Sequence, residues 1–346
     1  MTALPRQLPA RYEESATMNS AYSIILKLET KENSNRAVMY ARILGYLLLE
    51  GPTDEARSAI ANEIVSCKND EALAANGKFY LDHLIRIFKK GKGPTPSSHV
   101  SPPSFDALKD IVAQCLEKPI VNYEDAKAKA LARDGYRCLA SGTYDLAAER
   151  VKELRDRVIM EKAETAETNC AHIFPESTNL NLSTDKDCEL NRKHVYATSV
   201  WAVLDRFGYE NLRFDLNGNN IHRLENVLTL STNVHGKFDT LKVWFEAVEN
   251  KENTYKLNST WDGHLNSLYP GEVTFTTPDS NLPLPSPTYL HIHATCCKVA
   301  HLSGAGEYLD EIHRKFDDSK VLSQDGSSAE MFSHALLPLS NEIPAF

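Results

Sequence analysis

Between Gly91 and Ser104 the chain reads GKGPTPSSHVSPPS. Pro94, Pro96, Pro102 and Pro103 fix φ and lack a backbone N–H, so neither a helix nor an interior strand can run through this stretch. The glycines and serines beside them favour a solvated connector. Any hydrophobic core must therefore be assembled from the segments on either side. At 346 residues, 42% of them hydrophobic and 25% charged, the chain has the length and balance for two domains or one domain with large decorations.

Before the connector, the pattern is helical. Residues 1–17 read as a loose, disordered tail, and residues 18–90 as an all-helical N-terminal domain. NRAVMYARILGYLLLE (35–50) repeats its apolar positions at three and four and stops at Gly51-Pro52. Thr53 followed by Asp54 and Glu55 is a hydroxyl cap with first-turn acids, and a further helix is expected over 70–90. After the connector, helices are expected over 104–118, 123–133, 145–163 and 190–207, with a short hairpin strand at YRCLA between two turn pairs. AHI (171–173) and NVLTL (226–230) read as strands, 231–241 as a short helix, and 243–249 with 253–258 as a hairpin. Residues 288–300 read as a strand or buried segment, with His291 and His293 on one face, and 303–316 as a helix.

Composition excludes some roles. The longest apolar run falls short of the roughly 18 residues that cross a bilayer, and the N-terminus lacks an apolar signal core, so an intracellular protein is expected, in nucleus or cytoplasm. Seven irregularly spaced cysteines without a C-x-x-C pair read as reduced thiols rather than a zinc knuckle. A net charge of −9 weighs against broad nonspecific binding of nucleic acid, while leaving room for a local basic groove.

Two phrases carry chemistry: CAHIFPE (170–176) and ENVLTLSTNVHGKFD (225–239). His235 and Asp239 are four apart, so on a helix they share a face and can reach one divalent cation, although such pairs are also common on plain surfaces. His172, on a strand facing that helix, is suited to take a proton from water, because a neutral imidazole titrates near neutrality. A cation nearby can stabilise charge on a leaving oxygen. Asn226 can fix the loop around His172 or lend its carbonyl oxygen to a metal. These residue types point to phosphodiester hydrolysis with one metal.

RDGYRC…SG, CAHIFPE and ENVLTLSTNVHGKFD, taken together and in this order, resemble the HNH endonuclease family, over roughly residues 125–250. The likeness is closer to a branch with an AHI first histidine and an NxLxL…H..FD second half, often carried by large fungal proteins. The resemblance implies an α+β chain: a ββα-metal finger with a long insertion, preceded by the helical domain and followed by a C-terminal β/α extension. The domains then run 1–17 tail, 18–90 helical domain, 91–104 linker, 105–260 nuclease-like domain and 261–346 extension. It implies His172 as general base, Asn226 as the residue orienting its loop, and His235 and Asp239 as ligands of one divalent ion, Mg, Mn or Zn. Many relatives carry a further ligand just before the catalytic histidine, where this chain has Ala171. The implied partner is nucleic acid, DNA before RNA, with no membrane and with homo-oligomerisation through the N-terminal helices. A degenerate finger used for binding or scaffolding, or another metal-dependent reaction, stands as the alternative.

Arg133, Arg137 and Lys237 are the candidate phosphate contacts. Arg133 or Arg137 could instead pair with Asp134 or a neighbouring helix, and Lys237 could simply be solvated. NRKH (191–194) and His222-Arg223 add local positive charge that could line a groove or solubilise the surface.

Overall fold

The computed structural model describes residues 1–12, 15–32, 34–89, 107–178, 192–265 and 269–318. The connector at 91–104 lies outside them, as does Asn191, and the side chains of 192–198 are likewise not described.

An N-terminal helical region comes first: α1 (Ala16–Lys31), α2 (Asn35–Glu50), α3 (Asp54–Ser66) and α4 (Asp70–Tyr80). Ser15, Thr53 and Asn69 cap α1, α3 and α4 by accepting from Met18, Ala56 and Ala72 amides. The expected helix over 70–90 is regular only to Tyr80; it then widens to a π-type turn (Leu81–Ile85) and tightens to a 3-10 turn (Arg86–Phe88). The first residues, expected as a loose tail, are largely exposed but anchored at a few points. Leu4 is buried against Gly45, and the Tyr46 hydroxyl donates to the carbonyls of Thr2 and Ala3.

A mixed region follows: α5 (Leu108–Glu117), α6 (Tyr123–Arg133), β1 (Tyr144–Asp145), α7 (Lys152–Glu161), β2 (Thr165–Ala166), β3 (Thr168–His172), α8 (Arg192–Arg206), α9 (Leu212–Asp215), β4 (Val227–Ser231), α10 (Thr232–Asp239), β5 (Val243–Ala247), β6 (Thr254–Ser259) and β7 (Glu272–Thr274). A helical extension ends the described chain with α11 (Pro287–Ser303) and α12 (Ala305–Asp318). Residues 288–300 are therefore helix, not strand. Ser286 caps Tyr289 and Pro287 occupies the first turn, where its missing donor costs nothing. On a helix His291 and His293 point apart: His291 is exposed, while the buried His293 stacks on Phe238 with centroids 3.8 Å apart.

By chain contacts the molecule divides into two units, residues 1–91, 177–215 and 295–346 in one, residues 92–176 and 216–294 in the other. In the first, α1–α4 pack together and α8 joins α3 and the turn after α4. In the second, the sheets are small and open: β1 pairs parallel to β2, β3 antiparallel to β4, and β5, β6 and β7 form a meander. The β3–β4 register sets Thr168 opposite Ser231 and His172 opposite Val227. Helix α10 folds back over this pair, giving a ββα arrangement, and α6 also packs on it. Asp145 ties the neighbouring segment to β3, accepting from the Thr168 amide at 3.0 Å and from its hydroxyl at 2.5 Å. The expected strand at YRCLA is a tight turn: Arg137 bridges Tyr144, with Gly135 and Tyr136 both in the left-handed region. Leu131, Tyr136, Tyr144, Cys170 and Val227 are among the buried residues of the core beneath.

Candidate active site

His172 ends β3 and is almost wholly buried. The residue after it continues the ladder, since the Ile173 amide donates to the Asn226 carbonyl at 2.8 Å. The Asn226 side chain, fully buried, then joins two loops. Its Oδ1 accepts from the Phe174 amide at 2.8 Å; its Nδ2 donates to the Phe174 carbonyl at 2.9 Å and to the Ile221 carbonyl at 2.8 Å. One amide thus holds the turn leaving His172 against the 3-10 turn Gly218–His222.

That junction brings together residues that sequence spacing did not pair. His222 Nδ1 lies 3.0 Å from His172 Nε2, and the rings meet edge to face at 5.1 Å. With Glu176, they offer ligand atoms all within 4.8 Å of one another, a group able to coordinate a divalent metal. His222 is half-buried and Glu176 exposed, so the cluster opens to solvent on the carboxylate side. In the sequence His222 carried only a local positive charge. Glu176 stood in the quoted CAHIFPE phrase, one helical turn's spacing after His172, and that spacing was the only available signal.

His235 and Asp239 sit on α10. His235 Nε2 is 3.1 Å from Asp239 Oδ2, but the ring is not aligned to donate to that oxygen. The nitrogen is buried and has no hydrogen-bond partner among the described residues. A buried, unpartnered imidazole nitrogen beside a carboxylate is costly unless a further group completes it, so the pair fits a shared cation. Tyr123, the first residue of α6, relates the two donor groups. Its ring stacks on His172 with centroids 5.9 Å apart. Burial raises its phenol pKa well above the ordinary value, and the nearby carboxylates of Glu176 and Asp239 push the same way, so it stays a neutral hydroxyl. Ala171 is fully buried and offers no ligand.

The expected phosphate contacts, Arg133, Arg137 and Lys237, each have partners within the protein. Arg133 has a fully buried side chain. It pairs with Asp134 (Nε–Oδ1 2.6 Å, Nη2–Oδ2 2.9 Å) and donates to the carbonyls of Leu224 at 2.7 Å and Val227 at 2.9 Å. That guanidinium cannot face a phosphate, because its donors are satisfied inside the core. Lys237 donates to the His264 carbonyl at 2.9 Å. Arg137 lies over the Tyr144 ring at 3.9 Å and pairs with Glu161 at 2.8 Å, partly exposed. Arg223 pairs with Glu225 at 2.8 Å.

Among the described residues no helix is long and apolar enough to cross a membrane. No curated protein and no solved structure matches the chain. Residues 138–246 match the family described as HNH endonuclease, and this span holds β3, β4, α10 and every residue of both donor groups. The chain carries an HNH-family endonuclease domain over residues 138–246.

Proposed function

We propose that this domain is the catalytic centre of a metal-dependent endonuclease that hydrolyses phosphodiester bonds in nucleic acid, DNA before RNA. The observation that carries the reading is the buried Nε2 of His235 beside Asp239, without a hydrogen-bond partner among the described residues, on the helix that packs against the His172 strand. His172 accepts the proton of a water whose oxygen attacks phosphorus, while the bond to the opposite oxygen breaks. For this its Nε2 must turn from His222 to the water. Asn226 keeps the His172 loop in place through its bonds to Phe174 and Ile221. His235 and Asp239 would hold a divalent cation, which when bound would supply positive charge to the departing oxygen. The segment between β3 and β4, including 190–220, is read as an insertion in the finger.

A second reading, a degenerate finger that binds without cutting, draws on the His222 contact at the base nitrogen and on the burial of Arg133. One experiment separates them. Single- and double-stranded DNA and RNA are incubated with the full chain in magnesium, manganese or zinc, and in chelator. His172→Ala and Asp239→Asn are run in parallel. The nuclease reading expects metal-dependent cutting that falls at least about 100-fold in His172→Ala, the range of a lost general base. Absence of cutting by folded protein in every metal would overturn the nuclease reading in favour of a binding finger or another metal-dependent reaction.

A further inference from the structure

We infer that His172, Glu176 and His222 form a second cation site, separate from the His235–Asp239 pair, which takes a zinc-class ion and thereby withholds His172 from catalysis. The binding half stands by itself; the inhibitory half rests on the proposed role of His172 as base.

The donor set argues for the ion. Two imidazole nitrogens and one carboxylate oxygen form a borderline set that suits zinc, whereas magnesium favours oxygen ligands and keeps its waters. All the donor atoms lie within 4.8 Å of one another, and neither His235 nor Asp239 belongs to that group. The two groups also come from different parts of the chain. His235 and Asp239 stand on α10; the other three stand on the end of β3, the turn after it and the turn Gly218–His222. Asn226 fastens those turns to each other through Phe174 and Ile221, so the fold builds this site without help from an ion. An exposed carboxylate beside a half-buried and a buried imidazole gives a path from solvent to the inner ligand.

The consequence follows from one lone pair. Nε2 of His172 can accept a proton from water or bind a cation, and cannot do both at once. In the present arrangement that nitrogen faces His222 Nδ1 at 3.0 Å, with one proton between the rings. Cation binding moves that proton to another ring nitrogen, leaves both imidazoles neutral and closes the base.

Zinc is titrated into metal-stripped full-length protein in competition with a chromophoric chelator. Glu176→Gln, His222→Ala and His235→Ala are titrated in the same way. Each variant's far-ultraviolet circular dichroism and thermal unfolding are recorded, and Glu176→Gln, on an exposed residue, serves where His222→Ala loses its fold. Loss of a direct ligand is expected to weaken zinc binding by at least about tenfold, the lower end of what even outer partners of metal sites cost. His235→Ala is expected to keep this binding. Unchanged affinity in folded Glu176→Gln, or loss of the zinc site in His235→Ala alone, overturns the assignment. Cutting in magnesium is then followed as zinc is added, each variant being compared with its own zinc-free rate. The zinc needed for half-inhibition should rise in Glu176→Gln in step with its weaker binding. Equal inhibition of both proteins overturns the inhibitory half. A chain that binds zinc at this site but cuts nothing refutes the nuclease reading while the cation site stands.

Discussion

Asn226 shows how a single side chain can define a site. Its amide is buried, and its nitrogen donates to the carbonyls of Phe174 and Ile221. Asn226→Asp keeps the shape but sets a carboxylate oxygen against two acceptors. Burial and that repulsion should raise the aspartate's folded pKa above its unfolded value of about 4. The variant's stability deficit should therefore be complete at neutral pH and shrink as pH falls through the raised pKa toward about 4. Urea denaturation of both proteins at several pH values measures it, and a pH-independent deficit would contradict the bonding described. Arg133 makes a harsher case. Arg133→Met leaves Asp134 buried without its partner, so a loss of about 3–5 kcal/mol is expected in the same assay. A loss below about 1 kcal/mol, the range of a surface pair, would place the arginine outside the core. The contrast explains which candidate residues the sequence could nominate. His172, Asn226, His235 and Asp239 are named by motif and helical spacing. The role of Arg133 was hidden because the same Arg-Asp pair can face water or the core. His222 was hidden because a histidine 50 residues from His172 becomes its neighbour only through the Asn226 junction.

Elements were legible where a local signal was redundant. Helices α2 and α3 announce themselves by periodicity, caps and a Gly-Pro stop, and β4 followed by α10 by a short, mostly apolar run ending in hydroxyl residues. Helix α11 was ambiguous because nearly its whole circumference is buried, from Tyr289 to Ala300, which removes the amphipathic period. Its Ser286-Pro287 start was the remaining cue. Packing between elements is less visible still, and Gly77 illustrates it. In an isolated helix Gly→Ala is favourable by about 1 kcal/mol. Here a Cβ at Gly77 would stand 2.6 Å from the Tyr40 carbonyl oxygen and 2.9 Å from its carbon, both backbone atoms of α2. The helices would have to separate, so Gly77→Ala should destabilise by about 1–3 kcal/mol despite the better propensity. Thermal unfolding reads the sign directly, and a raised Tm would mean that α2 and α4 do not approach this closely.

At the scale of the whole molecule, the chain passes between its units more than once, and composition marks only some of the crossings. One falls at Gly91–Lys92, inside the proline-rich connector; others, around Ser177 and Leu216, carry no such signature. The segment 177–215 lies between β3 and β4 in sequence and inside the matched span, yet it belongs to the unit built on the N-terminal helices. There Val200, Trp201, Val203, Leu204 and Phe207 are buried. Phe207 stacks on Tyr80 with centroids 6.0 Å apart, its carbonyl accepts from the Thr53 hydroxyl at 2.8 Å, and Glu63 joins Arg206 to the Tyr80 hydroxyl. A chain cut to residues 105–265 would keep every residue of both donor groups but lose this cover. Its exposed aromatic and aliphatic side chains should bind a hydrophobic dye and drive association, while the full-length protein stays monodisperse in the same buffer. Light scattering and dye fluorescence on the two proteins test it. A soluble, dye-silent fragment would show that the segment 177–215 does not need the N-terminal helices to stay covered. An aggregated fragment rescued by adding residues 1–91 in trans would show that covering the segment 177–215, rather than chain continuity, keeps the fragment soluble.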